Sequence, residues 1–258
     1  MIPFPEIVVS IVTPTFNSSE FIGETISSII SQEFEYWELL ITDDGSTDNT
    51  IEIIKSFQEQ DPRIKLLVLK KNQGAGAARN NSIKNASGRY IAFCDSDDIW
   101  KPNKLQTQLD FMIKNNTQLT YSSYEVINSK NVPIKLVEVP QVITLKSMLG
   151  YNNIGCLTAI YDTKELGKIY MPTMRRRQDY ALWLIILSKI SFAKGLNESL
   201  AYYRLREGSI SRYKYRLVYY NWLVYNVALK YGKIKSLYLL IIFLFNILTK
   251  QKKYKTPI

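Results

Sequence analysis

Residues 90–98 read Tyr90-Ile91-Ala92-Phe93-Cys94-Asp95-Ser96-Asp97-Asp98, an apolar run followed by three carboxylates within four residues. Clustered carboxylates repel one another, and a divalent cation is the usual reason for placing such a cluster at the end of a buried strand. Mg²⁺ and Mn²⁺ take oxygen ligands, commonly one or two carboxylates together with substrate phosphates. A polar turn that caps a helix starting near Pro102 is the other interpretation of these residues.

A second acidic turn, Asp43-Asp44-Gly45-Ser46, follows another apolar run at residues 37–42. In an open α/β sheet, ligands bind outside the carboxyl ends of the strands, so we expect the two acidic turns to face one crevice. Turn and capping chemistry also accounts for this segment, because Asp48 is placed to cap a helix that starts near Asn49. The two interpretations are compatible, since Asp48 can cap the helix while Asp43 and Asp44 face a ligand.

Apolar periodicity predicts alternating strands and helices along the first part of the chain. Strands are predicted at 7–13, 37–42, 64–69 and 89–94, and helices at 20–32, 50–60, 75–86 and 102–114. This alternation indicates βαβ units and an α/β fold with a mainly parallel central sheet flanked by helices. After Thr117 the pattern is less regular, and it predicts strands at 120–126, 154–161 and 200–205 and a helix at 179–189.

Six short motifs follow one another between residues 6 and 212. In chain order they are Val12-Thr13-Pro14-Thr15-Phe16-Asn17, Asp43-Asp44-Gly45-Ser46-Thr47-Asp48, Asn72-Gln73-Gly74-Ala75-Gly76-Ala77-Ala78-Arg79-Asn80, Asp95-Ser96-Asp97-Asp98-Ile99-Trp100, Gln178-Asp179-Tyr180-Ala181-Leu182-Trp183 and Tyr203-Arg204-Leu205-Arg206-Glu207-Gly208-Ser209-Ile210-Ser211. Together they resemble an inverting family-two glycosyltransferase with the GT-A nucleotide-diphospho-sugar transferase fold. The resemblance implies transfer of a sugar from a nucleoside diphosphate sugar, with a UDP-sugar expected, to a saccharide or lipid-linked saccharide of a bacterial surface glycan.

The resemblance also implies roles for single residues. Asp95 and Asp97 would form the family's D-x-D element, with Asp97 binding Mn²⁺ or Mg²⁺ and Asp95 contacting the ribose or a metal-bound water. Asp98 is either a group behind the metal ligands or a helix cap. Asp179 would be the catalytic base, and its other interpretation is a charge favoured by a helix N-terminus. The residues expected to shape the nucleotide pocket are Thr13, Pro14, Asn17, Asp43, Asp44 and Arg79.

Two residues depart from the family pattern. The chain contains no histidine, so Ser–His triads, Cys–His pairs and histidine-ligated zinc are excluded. The family commonly carries a histidine in the late motif where this chain has Arg206, which can clamp phosphate oxygens but cannot bind a metal. The family usually has Glu-Asp where this chain has Gln178-Asp179, so the expected base is retained.

Arg79 also admits a second interpretation, as a surface charge on the third helix.

Cysteine usage and the N-terminus indicate the compartment. Cys94 and Cys156 both lie in apolar runs and form no disulfide framework, which suits a reducing cytosol. The N-terminus leads directly into the first strand without the basic region of a signal peptide. We therefore expect a cytoplasmic protein.

The catalytic domain is predicted to span 1–212. It would consist of a nucleotide-sugar-binding half at 1–98 and an acceptor-side half at 99–212.

The basic charge of the chain is concentrated at its C-terminal end. Residues 201–258 contain 12 lysines and arginines and one acidic residue, whereas residues 1–200 contain 21 basic and 22 acidic residues. Residues 236–248 are nearly all apolar, and as a helix they reach about 20 Å, short of the roughly 30 Å hydrocarbon core. The tail at 213–258 is therefore predicted to lie on an anionic membrane surface, at the inner face of the cell membrane, and not on nucleic acid. Packing against the catalytic domain, or against a second copy in a homodimer, is the other interpretation.

Two rival functions belong to other classes. A catalytically silent nucleotide-sugar-binding scaffold at the membrane is the first, and the presence of Asp97 and Asp179 argues against it. A nucleotidyltransferase is the second, since it also uses acidic metal sites on an α/β sheet. Such an enzyme normally carries a basic, glycine-rich phosphate loop near its N-terminus, and residues 14–19 do not form one.

Overall fold

The first four strands form a parallel half-sheet. The computed structural model describes residues 7–205 and 214–250. The strands, in the spatial order β3-β2-β1-β4, are β1 (Val9–Thr15), β2 (Trp37–Asp43), β3 (Ile64–Val68) and β4 (Tyr90–Phe93). The crossover helices are α1 (Ile22–Ile30), α2 (Thr50–Gln60) and α3 (Ala75–Asn85). Each of these elements is predicted from the sequence to within two residues at either end.

The rest of the sheet is mixed. It continues from β4 in the order β9-β6-β10-β5, with β7 beside β6 and β8 beside β10, and only β6 and β10 run parallel. These strands are β5 (Ile99–Trp100), β6 (Leu119–Ile127), β7 (Pro133–Val137), β8 (Val142–Ile143), β9 (Ile160–Asp162) and β10 (Ala193–Arg204). The sheet as a whole is thus less parallel than the sequence analysis predicts. The antiparallel additions are short or largely exposed, as in β7, so they leave little apolar periodicity in the sequence.

The predicted strand at 154–161 is wrong. Cys156–Thr158 form a 3₁₀ turn, and only β9, which begins at Ile160, joins the sheet. One neighbouring side chain and one that is distant in the sequence take up two carbonyls of this segment. Thr158 Oγ1 donates to Gly155 O at 2.8 Å, and Trp100 Nε1 donates to Leu157 O at 3.0 Å.

The two faces of the sheet are covered by two apolar clusters. Alternate residues of β4 point to opposite faces: Phe93 belongs to one cluster and Ala92 to the other. On the Phe93 face lies α7 (Gln178–Leu187), whose Trp183 ring meets Phe93 edge-to-face at 5.4 Å between centroids. The remaining helices of the described domain are α4 (Lys104–Asn115), α5 (Leu145–Leu149) and α6 (Thr163–Leu166). Burial on both faces explains why the inner strands are continuous apolar runs.

The C-terminal segment is helical. It consists of α8 (Lys214–Leu223), a π-helical turn at Val224–Ala228 and α9 (Lys233–Lys250). One face of α9 packs on the domain, where Phe243 is buried and Asn246 Nδ2 donates to Gly150 O at 3.2 Å. The opposite face is exposed and consists of Ile234, Leu237, Tyr238, Ile241 and Phe245, which we call the outer face of α9. Among the described helices, none is long and apolar enough to cross a membrane.

Candidate active site

The loops that follow β1, β2 and β4 are joined to one another by hydrogen bonds. Asn17, in left-handed backbone conformation, accepts from Thr47 N at 2.8 Å and donates its own N–H to Ser46 Oγ at 2.9 Å. The hydroxyl groups of Ser18 and Ser96 lie 2.9 Å apart and link the first loop to the acidic loop after β4. The carboxyl ends of three parallel strands therefore form one connected edge, as expected for a ligand site in an α/β sheet.

Asp43 and Asp44 are buried and shape this edge. Asp43 Oδ1 accepts from the N–H groups of Gly45 at 3.0 Å and Ser46 at 2.8 Å. Asp44 reaches across to the loop before α3 and accepts from Gln73 N and Gly74 N, both at 2.7 Å. Their carboxylates thus hold two loops in place, which is the turn chemistry that the sequence allowed.

Asp48 precedes Asn49, the N-cap residue of α2, and bonds the N–H of Thr50 in the first turn, a position one residue before the capping role that the sequence predicts. Its carboxylate accepts from Thr50 N and from Ser19 N, each at 3.1 Å. Burial alone would raise the pKa of Asp48, but the hydrogen bonds from Thr50 and Ser19 lower this pKa to about 2. The charged form is therefore the one that ties α2 to the loop after β1.

Two further predicted pocket residues, Thr13 and Pro14, are buried within β1. The hydroxyls of Thr13 and Thr15 have no hydrogen-bond partner among the described residues. Buried hydroxyls normally find partners, so these two give the strand end unused hydrogen-bonding capacity. Thr15 has no assigned role in the sequence analysis, and its lack of a partner is visible only in the folded chain.

The acidic loop after β4 is fixed by Arg204, near the end of β10. Arg204 is 3% exposed, its Nε donates to Asp97 O at 2.8 Å, and its N–H donates to Asp98 Oδ1 at 3.1 Å. The guanidinium also donates to Glu24 Oε2 on α1 at 2.6 Å and to the side chain of Asn131. Arg204 has no assigned role in the sequence analysis. A charged arginine within an otherwise apolar predicted strand is the sequence signal that points to it.

Arg79 is buried and forms an ion pair with Asp95. The arginine is 7% exposed, so its interpretation as a surface charge is wrong. Burial would lower the pKa of Arg79, but the carboxylates of Asp95 and Asp179 raise this pKa overall. The guanidinium of Arg79 therefore stays charged beside the carboxylate of Asp95. Arg79 Nε has no hydrogen-bond partner among the described residues.

The carboxylates of Asp95 and Asp97 suit a divalent cation that also binds substrate. Both residues are half-buried, and the side chain of Asp95 keeps 29% exposure despite its ion pair. Within residues 7–205 and 214–250 there is no group of three or more His, Cys, Asp or Glu side chains that could hold a metal by themselves. Two carboxylates with remaining positions for water and phosphate are the donor set that Mg²⁺ and Mn²⁺ commonly use. Arg206 lies outside the described residues.

Asp179 stands in the first turn of α7, whose position is fixed on three sides. Gln178 packs against Gly76 of α3, where an added Cβ would lie 3.0 Å from Gln178 Cγ. The Tyr180 hydroxyl donates to Met148 O at 2.9 Å, and Trp183 packs on Phe93 of β4. A fixed helix therefore presents Asp179 near the strand that carries the acidic loop.

Asp179, Asp95 and Asp98 line one cleft of about 360 Å³. Its walls also include Tyr124, Lys135, Tyr151, Cys156 and Tyr203. None of these five was predicted to be a site residue, and only Tyr203 belongs to one of the six motifs. The predicted nucleotide-pocket residues and Asp97 do not line this cleft, and the Arg79–Asp95 ion pair connects the two groups.

Comparisons with known proteins identify the family of this chain. The glycosyl transferase family 2 profile matches residues 10–180. The chain belongs to glycosyl transferase family 2. It is 42% identical over 215 residues to the UDP-Glc:alpha-D-GlcNAc-diphosphoundecaprenol beta-1,3-glucosyltransferase WfgD of Escherichia coli, covering 83% of either chain. This family-two chain is therefore a glycosyltransferase, as the sequence analysis predicts.

Two solved structures share the fold of this glycosyltransferase. TarS of S. aureus, residues 1–349 in complex with UDP-GlcNAc, superposes with a TM-score of 0.71 at 23% identity, covering 92% of this chain and 71% of TarS. The mannosyltransferase PcManGT of Pyrobaculum calidifontis, in complex with GDP-Man and Mn²⁺, gives a TM-score of 0.64 at 17% identity, covering 90% and 66%. The GT-A fold predicted from the motifs is confirmed.

Proposed function

We propose that this glycosyltransferase moves a sugar from a UDP-sugar to a saccharide carried by a lipid, with inversion at the anomeric carbon and with Mn²⁺ or Mg²⁺ at the acidic loop. The observation that carries the proposal is that Asp95, Asp98 and Asp179 line one cleft. A site with acidic groups for a metal and a separate carboxylate for a proton meets the two needs of glycosyl transfer. The diphosphate must be neutralised as it leaves, and the acceptor hydroxyl must lose its proton.

The sugar donor binds at the edge formed by the loops after β1, β2 and β4. In the proposal Asp43 and Asp44 hold these loops, while Thr13, Pro14 and Asn17 line the nucleotide pocket. The complex of TarS with UDP-GlcNAc, on the same fold, supports a uridine nucleotide here. Arg79 would direct its unused Nε at a ribose or phosphate oxygen, because a buried guanidinium with a free N–H is a strong donor to anions.

Asp97, with Asp95 directly or through water, would hold the divalent cation. The Mn²⁺ in the complex of PcManGT with GDP-Man supports this choice. When bound, the cation supplies the positive charge that stabilises the leaving diphosphate. Arg204 keeps the loop backbone in position for this task, and Arg206 is proposed to contact the phosphates.

Asp179 acts as the catalytic base. Its carboxylate takes the proton of the acceptor hydroxyl as that oxygen attacks the anomeric carbon. The new glycosidic C–O bond forms while the bond from the anomeric carbon to the diphosphate oxygen breaks, and UDP leaves with the electron pair. Attack from the face opposite the leaving group inverts the anomeric centre in one step.

Two observations support the proposed acceptor. WfgD, by its name, acts on a saccharide linked to diphosphoundecaprenol. The outer face of α9 is apolar, and Lys233 and Lys235 stand at the start of that helix. Apolar surface next to basic residues suits an anionic membrane, so the protein is proposed to lie on the cytoplasmic face of the cell membrane. A homodimer through α9 is the alternative use of the same face.

A matched pair of variants tests the function and separates it from a silent scaffold. Asp179→Asn is expected to lower kcat roughly 10²–10⁴-fold, the usual range for a general base, while UDP binding stays unchanged. Asp97→Asn is expected to lose both turnover and the metal-dependent part of UDP binding. Hydrolysis and transfer would be followed with a panel of nucleotide sugars, with Mn²⁺ or Mg²⁺, with and without a membrane lipid extract.

The control is Asp110→Asn, which removes an exposed carboxylate from α4. This variant should behave as the native protein does. A well-folded Asp97→Asn protein with near-normal activity would refute the metal site. An Asp179→Asn protein that loses UDP binding but keeps its turnover would refute the base.

A further inference from the structure

Three consecutive arginines, Arg175, Arg176 and Arg177, directly precede the first turn of α7. The segment that contains them is held at both ends by α3. Asn80 Nδ2 donates to Met171 O at 2.9 Å, and Met171 N donates to Asn80 Oδ1 at 2.7 Å. At the other end Gln178 packs against Gly76. The three arginines, which we call the arginine segment, are therefore held beside Asp179.

The arginine segment carries three positive charges on three consecutive residues. Arg175 is exposed, and among the described residues neither Arg175 nor Arg177 forms an ion pair. Arg177 adopts a left-handed conformation with φ 64°, and its Nε has no hydrogen-bond partner in the described part of the chain. Guanidinium groups stay charged at physiological pH, so the segment offers several donors to an anion.

The arginine segment also contacts the C-terminal helices. The guanidinium carbon of Arg177 lies 4.9 Å from the Tyr180 ring centroid and 5.3 Å from that of Phe243 on α9. The guanidinium carbon of Arg176 lies 6.0 Å from the Tyr220 ring centroid on α8. Phe243 belongs to the packed face of α9, and the opposite, outer face is apolar and exposed. Arg177 therefore stands between Asp179, two residues further along the chain, and α9, the helix that carries the exposed apolar face.

A lipid-linked saccharide has the same order of chemical groups: an apolar chain, a phosphate or diphosphate, and a sugar. We propose that the arginine segment binds the diphosphate of the acceptor lipid and so places the acceptor hydroxyl at Asp179, an inference that rests on the proposed function. Arginine suits this task because its planar N–H groups pair with two phosphate oxygens at once. The diphosphate of the sugar donor is assigned elsewhere, to the acidic loop and Arg79.

The test uses the full chain and two substitutions, Arg175→Gln with Arg176→Gln. Arg177 is left intact because it packs on Tyr180 and Phe243. The probe is undecyl diphosphate, with undecyl phosphate, undecanol and free pyrophosphate as comparison ligands, and binding is measured by calorimetry. The native protein should bind undecyl diphosphate more tightly than the other three. The double variant should bind it at least about tenfold more weakly, as expected when charged hydrogen bonds are lost.

The matched control removes two positive charges elsewhere, Lys55→Gln with Lys114→Gln, both exposed and on α2 and α4. This control should bind undecyl diphosphate as the native protein does. With N-acetylglucosaminyl diphosphate carrying an undecyl chain as acceptor, the arginine variant should show a raised KM and a nearly unchanged kcat. Rescue of binding by Arg175→Lys with Arg176→Lys should be only partial, because lysine keeps the charge but not the paired N–H geometry.

Three results would overturn the inference. They are equal affinity of the arginine variant and the native protein for undecyl diphosphate, equal weakening in the lysine control, and a loss of UDP affinity in the arginine variant. UDP binding and hydrolysis of UDP-sugars by the native protein report on the proposed function separately. Failure of that hydrolysis with undecyl diphosphate binding intact would reject the proposed function and not the anion site.

Discussion

Lys104 of α4 is a lysine that folding removes from water. It is fully buried, its Nζ donates to Gln108 Oε1 at 2.5 Å, and it lies 4.1 Å from the Trp100 ring centroid. Burial lowers the pKa of Lys104 to about 7, because the charged form loses its hydration. One amide oxygen and one ring face do not replace the water that the ammonium group gives up.

A buried lysine of this kind makes stability depend on pH. Between about pH 7 and 10.5 the unfolded chain holds the Lys104 proton and the folded chain does not, so the free energy of unfolding rises with pH in this window. Urea unfolding at pH 7.5 and 9.5 should show that the native protein gains about 2 kcal/mol more over this interval than Lys104→Met does.

Other groups that titrate in this window, including the two cysteines, are present in both proteins, so the difference between the two curves reports on Lys104. The absence of histidine simplifies the comparison further. Parallel curves for the native protein and Lys104→Met would show that Lys104 keeps its ordinary pKa in the folded state.

At the scale of elements, β10 and α1 hold the acidic loop between them. Arg204 of β10 bonds the loop at Asp97 and Asp98, and Thr25 of α1 donates to Asp98 O at 2.9 Å. Glu24 of α1 in turn accepts from Arg204. A loop with three carboxylates keeps its conformation because two elements distant in the sequence supply donors to its oxygen atoms.

Arg204→Gln is expected to weaken this arrangement. Glutamine cannot reach Asp97 O, Glu24 and Asn131 together, so we expect a loss of about 1–3 kcal/mol of folding free energy and weaker UDP binding in the presence of Mn²⁺. Thermal unfolding and calorimetry measure the two effects.

Glu24→Gln is the matched control, because it removes only the half-exposed end of the network and leaves the bonds of Arg204 to the loop. Its effect on UDP binding should be small. Equal effects of the two substitutions would show that the α1 contact, and not the bonds to the loop, is what matters.

At the scale of the whole molecule, α9 has two different faces. Leu239, Leu240 and Phe243 are buried against the domain, while Ile234 is 89%, Tyr238 63% and Ile241 59% exposed. Packing on the domain, one of the two interpretations of the tail, thus applies to one side of this helix. Membrane association, the other interpretation, stays a prediction that concerns the opposite side. Truncation before this helix would remove both faces, so substitutions on the outer face separate them.

The variant Ile234→Gln, Tyr238→Gln, Ile241→Gln is expected to abolish sedimentation with vesicles that contain anionic lipid, while thermal unfolding stays unchanged. The native protein should sediment with these vesicles, and raised salt should weaken this binding without erasing it, since apolar insertion is not screened.

Val132→Gln with Ile134→Gln, which alters two exposed apolar residues near β7, is the control and should bind as the native protein does. A native protein that ignores the vesicles but forms dimers, which the outer-face variant loses, would assign the outer face of α9 to a homodimer.

The sequence by itself determined the parallel half of the sheet, its crossover helices and the position of the acidic turns at strand ends. Apolar periodicity records which side of each segment is buried, and β1 to β4 are buried on both faces, so their signal is strong and local. The family motifs added the GT-A fold and the prediction that Asp95 and Asp97 serve a metal and Asp179 serves as the base of one reaction.

Only the tertiary structure decided which polar groups meet. The bonds of Arg204 to the acidic loop, the clamp of Asp44 on Gln73 and Gly74, the burial of Lys104 and the place of the arginine segment beside α9 all join residues far apart in the chain. The same holds for the turn at Cys156–Thr158, where contacts from Trp100 compete with a strand pattern. Periodicity reports the burial of a segment, whereas hydrogen bonds and ion pairs between distant segments exist only after packing has brought their donors and acceptors within about 3 Å.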